Sequence, residues 1–518
     1  MILNDKHYKL LLSLLIILQP IIELDYLFYN VLDNYNLPRL TTILRFIIIP
    51  IFIVYGFYKY DKSKKTIIIS STYLIMLLIY FIIHSGYAYN LVDKLYLTSN
   101  FYFSYVYEFI YIYTMVVPYY LIYLFYKVNI SNKFIEYVSV TTSLIISSSI
   151  VLSNIFVFGM STYVGYTKDN IFSWFTDGYT NYIPRELASK FFFEQGNTIG
   201  ILLLMILPII YHLLYTSNKK ALYGITIIIQ SLAMIMLSSR VSVYGAIIVP
   251  IVVTIIMLFT KYIIRNDNFK NHIIALPLVL VISMSALLPY TPMMMNQKLN
   301  SINDQAVKDD DYLLANGEKE IQELLNSDIK KNDIRLIKAF EKYGIEDNLA
   351  SAIPVDYFNE WYPYTHDAYF WVDLLFNVDF YDRVNGRQLQ QLFLDYKFSD
   401  IEERKMLGTG YSTLMTGSFI MEKDFVQQYN SFGLFGFILI VCPWLMVLCY
   451  GIFKILIRFK ENMKSHIIIY AMSFVFGILG AYVSGHTLDQ FITTTFMALL
   501  VGKLLNEINN NRIKEKNI

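Results

Sequence analysis

Nearly uncharged apolar runs of about 20 residues recur along most of this chain, each long enough as a helix to cross the ~30 Å hydrocarbon core of a bilayer. They occupy 10–27, 41–57, 66–83, 102–126, 137–158, 196–215, 222–237, 241–259, 273–288, 433–456, 466–484 and 488–505. A transmembrane β-barrel is excluded, because its strands would alternate apolar and polar residues over ~10-residue segments. Composition agrees: 56% of the 518 residues are hydrophobic and 16% charged, against roughly 25% charged in a soluble domain. The reading is an all-α polytopic membrane protein with twelve spans. One division stays open at Ser238-Ser239-Arg240, where either two spans meet or a single long helix kinks. The first run begins near Lys9 without a small-residue cleavage pattern after it, so it reads as an uncleaved span.

The distribution of cations tests the count. With the N-terminus in the cytoplasm, the inner connections hold Lys59, Lys62, Lys64 and Lys65; Lys127 and Lys133; Lys219 and Lys220; Lys261, Arg265 and Lys270; and Lys454, Arg458, Lys460 and Lys464. Arg512, Lys514 and Lys516 follow the last span. Every inner connection is basic, as the positive-inside rule requires, and both termini fall in the cytoplasm. An odd number of spans would put one basic end on the wrong side. The overall balance, 42 Lys and Arg against 41 Asp and Glu, gives no reason to expect a nucleic-acid partner.

Two outward segments stand out, 161–195 and 291–431. The second, about 140 residues, is long enough for a small domain. The expected organisation is a membrane domain over 1–290, a mainly helical extracytoplasmic loop domain over 291–431, and a membrane domain over 432–518 with the last three helices and a cytoplasmic tail. Within the loop, 309–345 reads as helical, with Asp309-Asp310-Asp311 as an acidic helix start. Residues 357–370 are dense in aromatics, which suits a membrane interface, and His366 reads as structural among them. The only cysteines, Cys442 and Cys449, are seven apart in one apolar run and share a buried helix face, as small lipid- or core-facing residues. No disulfide framework or zinc spacing is present.

Charges inside apolar spans are costly unless paired or hydrated, so they are the first functional candidates. Arg45 and Glu108 interrupt spans, Arg240 sits at an outer junction, and His486 and Asp489 lie three apart where the last span begins. All but Glu108 are expected near the outer leaflet. A helix starting there would put His486 and Asp489 on one face. Arginine suits a diphosphate because its planar fork donates paired, charge-assisted hydrogen bonds. A histidine can take a proton from an attacking hydroxyl. Outward arginine and histidine beside a lipid-facing cavity suggest transfer from a lipid diphosphate donor. The short cytoplasmic loops hold no P-loop and no room for a nucleotide-sugar site, so energy would come from the donor or a gradient.

The order of motifs resembles the O-antigen ligase and O-antigen polymerase superfamily, membrane proteins with one large outer loop late in the chain. Glu194-Gln195-Gly196-Asn197-Thr198-Ile199-Gly200, leading into a span with Pro208, is similar to the Asn-containing entry of a middle helix. Ser238-Ser239-Arg240 resembles the family's Ser-Arg motif between two spans. Asn385-Gly386-Arg387 followed by Leu407-Gly408-Thr409-Gly410 resembles the stretch in the outer loop that carries Gly-Arg and then two closely spaced glycines. Glu422-Lys423-Asp424 and then Ser431-Phe432-Gly433-Leu434-Phe435-Gly436 resemble the loop's return into a glycine-bearing helix, and Ser484-Gly485-His486 the Gly-His of the last pair of spans. Lipopolysaccharide ligases carry a His-Asn pair before the return helix. This chain has Glu422 and Asp424 there, which favours a polymerase or another oligosaccharide transferase.

The resemblance implies an undecaprenyl-diphosphate-linked oligosaccharide donor and glycosidic bond formation outside the bacterial plasma membrane, without cofactor, metal or ATP. Arg240 and Arg387, with Arg45 or Arg185, would hold the diphosphate. Glu422, Asp424 or His486 would accept the acceptor's proton, with the two carboxylates favoured as base and His486 as a phosphate-side donor. The lipid bilayer, a flippase and a chain-length regulator are the expected partners. The rival activities are a ligase passing the glycan to another acceptor and a flippase for the same lipid-linked oligosaccharide.

Overall fold

The computed structural model describes residues 4–28, 31–32, 39–95, 97–161, 165–309, 318–330, 332–343, 361–379, 382, 386–398, 401–417 and 419–515. Twelve helices in it are long and apolar enough to cross a membrane: Asp5–Phe28, Leu40–Tyr60, Lys64–Val92, Tyr105–Val128, Asn132–Phe156, Gly196–Thr216, Lys220–Leu237, Arg240–Ile264, Asn271–Ile302, Asp424–Ile457, Ser465–Val483 and Phe491–Asn509. Helices satisfy their own backbone hydrogen bonds, which is why apolar runs of this length take that form in lipid. The junction left open at 238–240 is a true break. Ser238 is left-handed (φ 58°), and Ser239 caps the next helix by accepting from the Ser242 amide at 3.3 Å.

Several boundaries move from the expected ones. The third span runs to Val92, and the tenth starts at Asp424, nine residues before 433. That tenth helix is broken at Gly433 (φ 63°, ψ −173°) and followed by a π turn, Phe437–Val441. The last span starts at Phe491, so His486 and Asp489 lie in the turn before it and do not share a helix face. Cys442 is half-buried and Cys449 exposed on its apolar helix, as suits lipid- or core-facing residues.

The chain forms two compact units. The first comprises Met1–Ser71, Tyr113–Asn296 and Cys442–Ile518. At its centre the sixth span, Gly196–Thr216, is enclosed along nearly its whole length by the fifth, seventh, eighth, eleventh and twelfth. Residues 159–161 and 165–195 fold over one end as a short antiparallel pair of strands, with Met160 opposite Phe191, and a few single-turn helices. The Trp174 indole N–H donates to the Leu187 carbonyl at 2.9 Å and pins this segment together.

The second unit comprises Thr72–Ile112 and Gln297–Val441. Its described helices outside the spans include Glu318–Leu325, Ile334–Lys342, Ala368–Asn377, Gly386–Phe398, Glu402–Leu407 and Tyr411–Thr416. Asp309 ends the helix Pro292–Asp309 and does not begin one; Asp310, Asp311, Leu313 and Ile345 lie outside the described residues. The later of the two described helices in this stretch, Ile334–Lys342, is capped by Asp333, which accepts from the Arg335 amide at 2.9 Å. Tyr362, Tyr364 and Phe370 of the aromatic segment are buried among Phe101, Trp371 and Phe393, so they form the core of this unit and do not line a membrane surface. Residues 357–360 lie outside the described residues. Within that core Lys397 meets Asp367 at 2.6 Å over the Tyr362 ring, with neither side chain exposed.

Candidate functional site

In the first unit, the loops joining alternate spans place an unusual density of charge at one end. Arg45, one turn into the second span, is buried and bonded through Nε to Gln19 Oε1 at 3.1 Å and through Nη2 to the Gln19 carbonyl at 3.0 Å. Its Nη2 also lies 3.4 Å from Glu23, and its guanidinium faces the Phe491 ring. Arg39 precedes the same span and pairs with Glu194 and, at 3.1 Å, with Asp25. Burial works against the Arg39 charge, but these two carboxylates outweigh it and hold its pKa above the usual value. Lys190 is almost fully buried. Burial pushes its pKa below the ordinary lysine value against the opposing pull of Glu194 and Glu23, and its ammonium bonds the Glu194 carbonyl. Three cations and three carboxylates thus neutralise one another. Arg45 is tied into this structure.

Beside that cluster the first turn of the sixth span organises a second group. The Thr198 hydroxyl lies 2.9 Å from the His486 carbonyl and 3.0 Å from Gln195 Oε1. His486 is left-handed (φ 54°) after Gly485 (φ 71°), a reversal that turns its ring towards Asp489, with Nδ1 to Oδ2 at 3.2 Å. Although the residues are not on a helix, the pairing expected from their spacing is present. Asp489 is nearly buried, whereas the His486 side chain keeps a fifth of its surface. A carboxylate at Nδ1 fixes the ring so that Nε2 is the nitrogen presented for proton transfer.

Gly200, one turn on, packs directly on the eighth span's start: a β-carbon there would sit 2.9 Å from Ser239 Oγ. Arg240, the first helical residue after Ser239, is exposed. Among the described residues no carboxylate pairs with it. Arg39 and Arg45, in contrast, are committed to carboxylates. Arg185 is exposed in the turn Pro184–Leu187 of the folded-over segment.

In the second unit, Arg387 and Glu422 are brought together. Nε and Nη2 of Arg387 both donate to Glu422 Oε2, at 3.0 and 2.5 Å, and both side chains remain partly exposed. Asn385 lies outside the described residues. Asp424 is buried at the start of its helix. Glu108 lies in the first turn of its helix, where it is bonded to His84 at 2.9 Å with neither residue exposed. Among the described residues no three His, Cys, Asp or Glu side chains are grouped closely enough to hold a metal ion.

Of the residues singled out in the sequence, Arg45 lies among Gln19, Glu23, Asp25, Arg39 and Lys190, and His486 with Asp489 lies beside Thr198; the spacing of the sequence did not single out those neighbours. The signal was present: charged residues close to the ends of the first, second and sixth spans (Glu23 and Asp25, Arg39, and Lys190 with Glu194) all belong to one face once the spans alternate.

Searches of curated proteins and of solved structures give no significant match. The family comparison is positive. Residues 5–511 match the model of the family described as O-antigen ligase like membrane protein, and with nearly its whole length covered this multi-pass chain belongs to that family of polysaccharide biosynthesis.

Proposed function

We propose that the chain polymerises undecaprenyl-diphosphate-linked oligosaccharide repeat units at the outer face of the bacterial plasma membrane. The acceptor hydroxyl attacks the anomeric carbon of the donor sugar. The bond from that carbon to the diphosphate oxygen breaks, and its electron pair leaves with undecaprenyl diphosphate. Arg240 stabilises the charge on that leaving group, the kind of electrostatic contribution that is commonly the largest in catalysis. His486, oriented by Asp489, takes the hydroxyl proton through Nε2. The donor's own diphosphate supplies the driving energy.

The observation that carries this reading is an exposed arginine, Arg240, with no carboxylate partner among the described residues, next to the helix start that holds His486. We assign the base to His486 and not to Glu422 or Asp424. The Glu422 carboxylate is already engaged by two hydrogen bonds from Arg387, and Asp424 is buried. Glu422 and Arg387 together form an exposed donor–acceptor pair suited to sugar hydroxyls, and we assign them to glycan binding.

Purified protein in lipid, given lipid-linked repeat units, tests the function directly. Longer lipid-linked chains support the polymerase. Transfer to an added acceptor with no elongation indicates a ligase instead, and movement across the bilayer without new bonds indicates a flippase.

A further inference from the structure

The strongest buried polar arrangement not used above is in the second unit. Glu108 Oε1 accepts the Tyr411 amide at 3.1 Å and Oε2 accepts the Ser412 amide at 2.7 Å, while His84 Nε2 lies 2.9 Å from Oε1. The other ring nitrogen of His84, Nδ1, is 2.6 Å from the Leu407 carbonyl. A carbonyl only accepts, so Nδ1 carries a hydrogen, and one further proton lies between Nε2 and the carboxylate. Tyr80 stacks on the imidazole, with ring centroids 5.2 Å apart, and donates its hydroxyl to the Phe432 carbonyl at 2.6 Å.

Two helices of the membrane region thus grip both ends of the Gly408–Thr409–Gly410 turn. On its far side the turn is tied to the helix that follows Glu422: the Thr409 and Gly410 amides donate to the Asn430 and Ser431 carbonyls, each at 2.9 Å. Gln427 extends the chain of bonds, donating to Ser431 Oγ at 2.9 Å and accepting from the Met421 amide at 2.8 Å, next to Glu422. A buried, hydrogen-bonded pair of this kind adds little net stability over packed apolar side chains, so its advantage is a single defined geometry.

We propose that Glu108 and His84 are positioning residues that hold the 408–412 turn, and through it Glu422 with its Arg387 partner, in the arrangement that binds the glycan acceptor. This rests on the glycosyltransferase reading given above. Only a carboxylate can serve here. An amide has one accepting end, so Glu108→Gln leaves the Tyr411 or the Ser412 amide without an acceptor.

The test uses the full chain in lipid nanodiscs, comparing the parent with Glu108→Gln, His84→Gln and the double variant. Amide hydrogen exchange over 407–416 should accelerate by about tenfold or more in each variant while exchange over 196–216 stays unchanged. With lipid-linked repeat units, KM for the acceptor should rise roughly tenfold, with kcat within about threefold of the parent. The double variant should be no worse than the worse single one, as expected of residues acting as a unit. Unchanged exchange over 407–416 in both single variants overturns the clamp. Accelerated exchange with an unaltered acceptor KM overturns the positioning role, and acceleration over 196–216 as well reduces the pair to a general stabiliser. If the parent elongates nothing, the glycosyltransferase reading fails while the exchange data still decide the clamp.

Discussion

The hydroxyl of Thr198 reaches the carbonyl of His486 at 2.9 Å, joining the first turn of the sixth span to the turn before the twelfth. The bond fixes the left-handed backbone of His486, which aims the imidazole at Asp489. Thr198→Val keeps the shape and removes the donor. Losing one such bond costs about 1 kcal/mol, so folded yield should hardly change. Polymer formation should fall by about tenfold, a factor that 1.4 kcal/mol of lost transition-state stabilisation produces, and Thr198→Ser should restore it. Equal activity of the valine variant would remove Thr198 from the account.

Arg240→Lys keeps the positive charge and loses the fork that binds two diphosphate oxygens at once. Polymer yield should drop strongly at normal protein abundance. A quantitative immunoblot of membranes beside a glycan gel reads both. Reduced abundance in step with reduced polymer would make Arg240 a helix anchor.

The helical plan was legible in the sequence because bilayer thickness and backbone hydrogen bonding leave so few solutions. The break at Ser238 was half legible, since Ser239 is a recognisable cap but nothing local demands a left-handed residue before it. His486 and Asp489 were paired for the wrong reason: their spacing suggested a helix face, whereas Gly485 and His486 at positive φ make the contact in a turn. Partners distant in sequence were not legible. Nothing in Glu194 announces Arg39, and nothing in Glu108 announces the amides of Tyr411 and Ser412.

At the opposite end of the first unit, Asp61 offers a pH test. Burial opposes its charge, but the Tyr123 and Thr66 hydroxyls, the Ser63 amide and the Lys127 ammonium prevail and hold its pKa below the usual aspartate range. A carboxyl depressed on folding stabilises the protein at pH values above its unfolded pKa of about 3.9, and that contribution disappears as pH falls through the lower folded value. Asp61→Asn should therefore melt below the parent at pH 7. The gap should persist to about pH 4 and narrow only in stronger acid. A gap that closes between pH 7 and 5 would show the network contributes nothing through Asp61.

Gly433 has φ 63° and ψ −173°, a conformation almost confined to glycine. A β-carbon there would lie 2.5 Å from the Leu407 and Gly408 amide nitrogens, backbone atoms that cannot give way. Gly433→Ala should cost at least about 1–3 kcal/mol and lower the melting temperature and folded yield. Gly86→Ala is the matched control, since its β-carbon would meet nothing within 4 Å. It lies inside the helix Lys64–Val92, where alanine is favoured by up to about 1 kcal/mol, so its melting temperature should hold or rise.

The orientation proposed for the chain rests on the basic connections, and it decides which substrates the charged end of the first unit can meet. In a Cys442→Ser, Cys449→Ser background, cysteines placed singly at Lys319 and Lys338, both exposed, should react with a membrane-impermeant thiol reagent in intact cells. Cysteines at Lys219 and Lys464 should react only after permeabilisation. Lys219 and Lys464 precede the seventh and eleventh spans, at the ends opposite Ser238 and His486. Labelling at Lys464 in sealed cells would therefore put Arg240 and His486 on the cytoplasmic side. Lipid-linked repeat units presented outside would then be out of reach, and the polymerase reading would fall with the orientation.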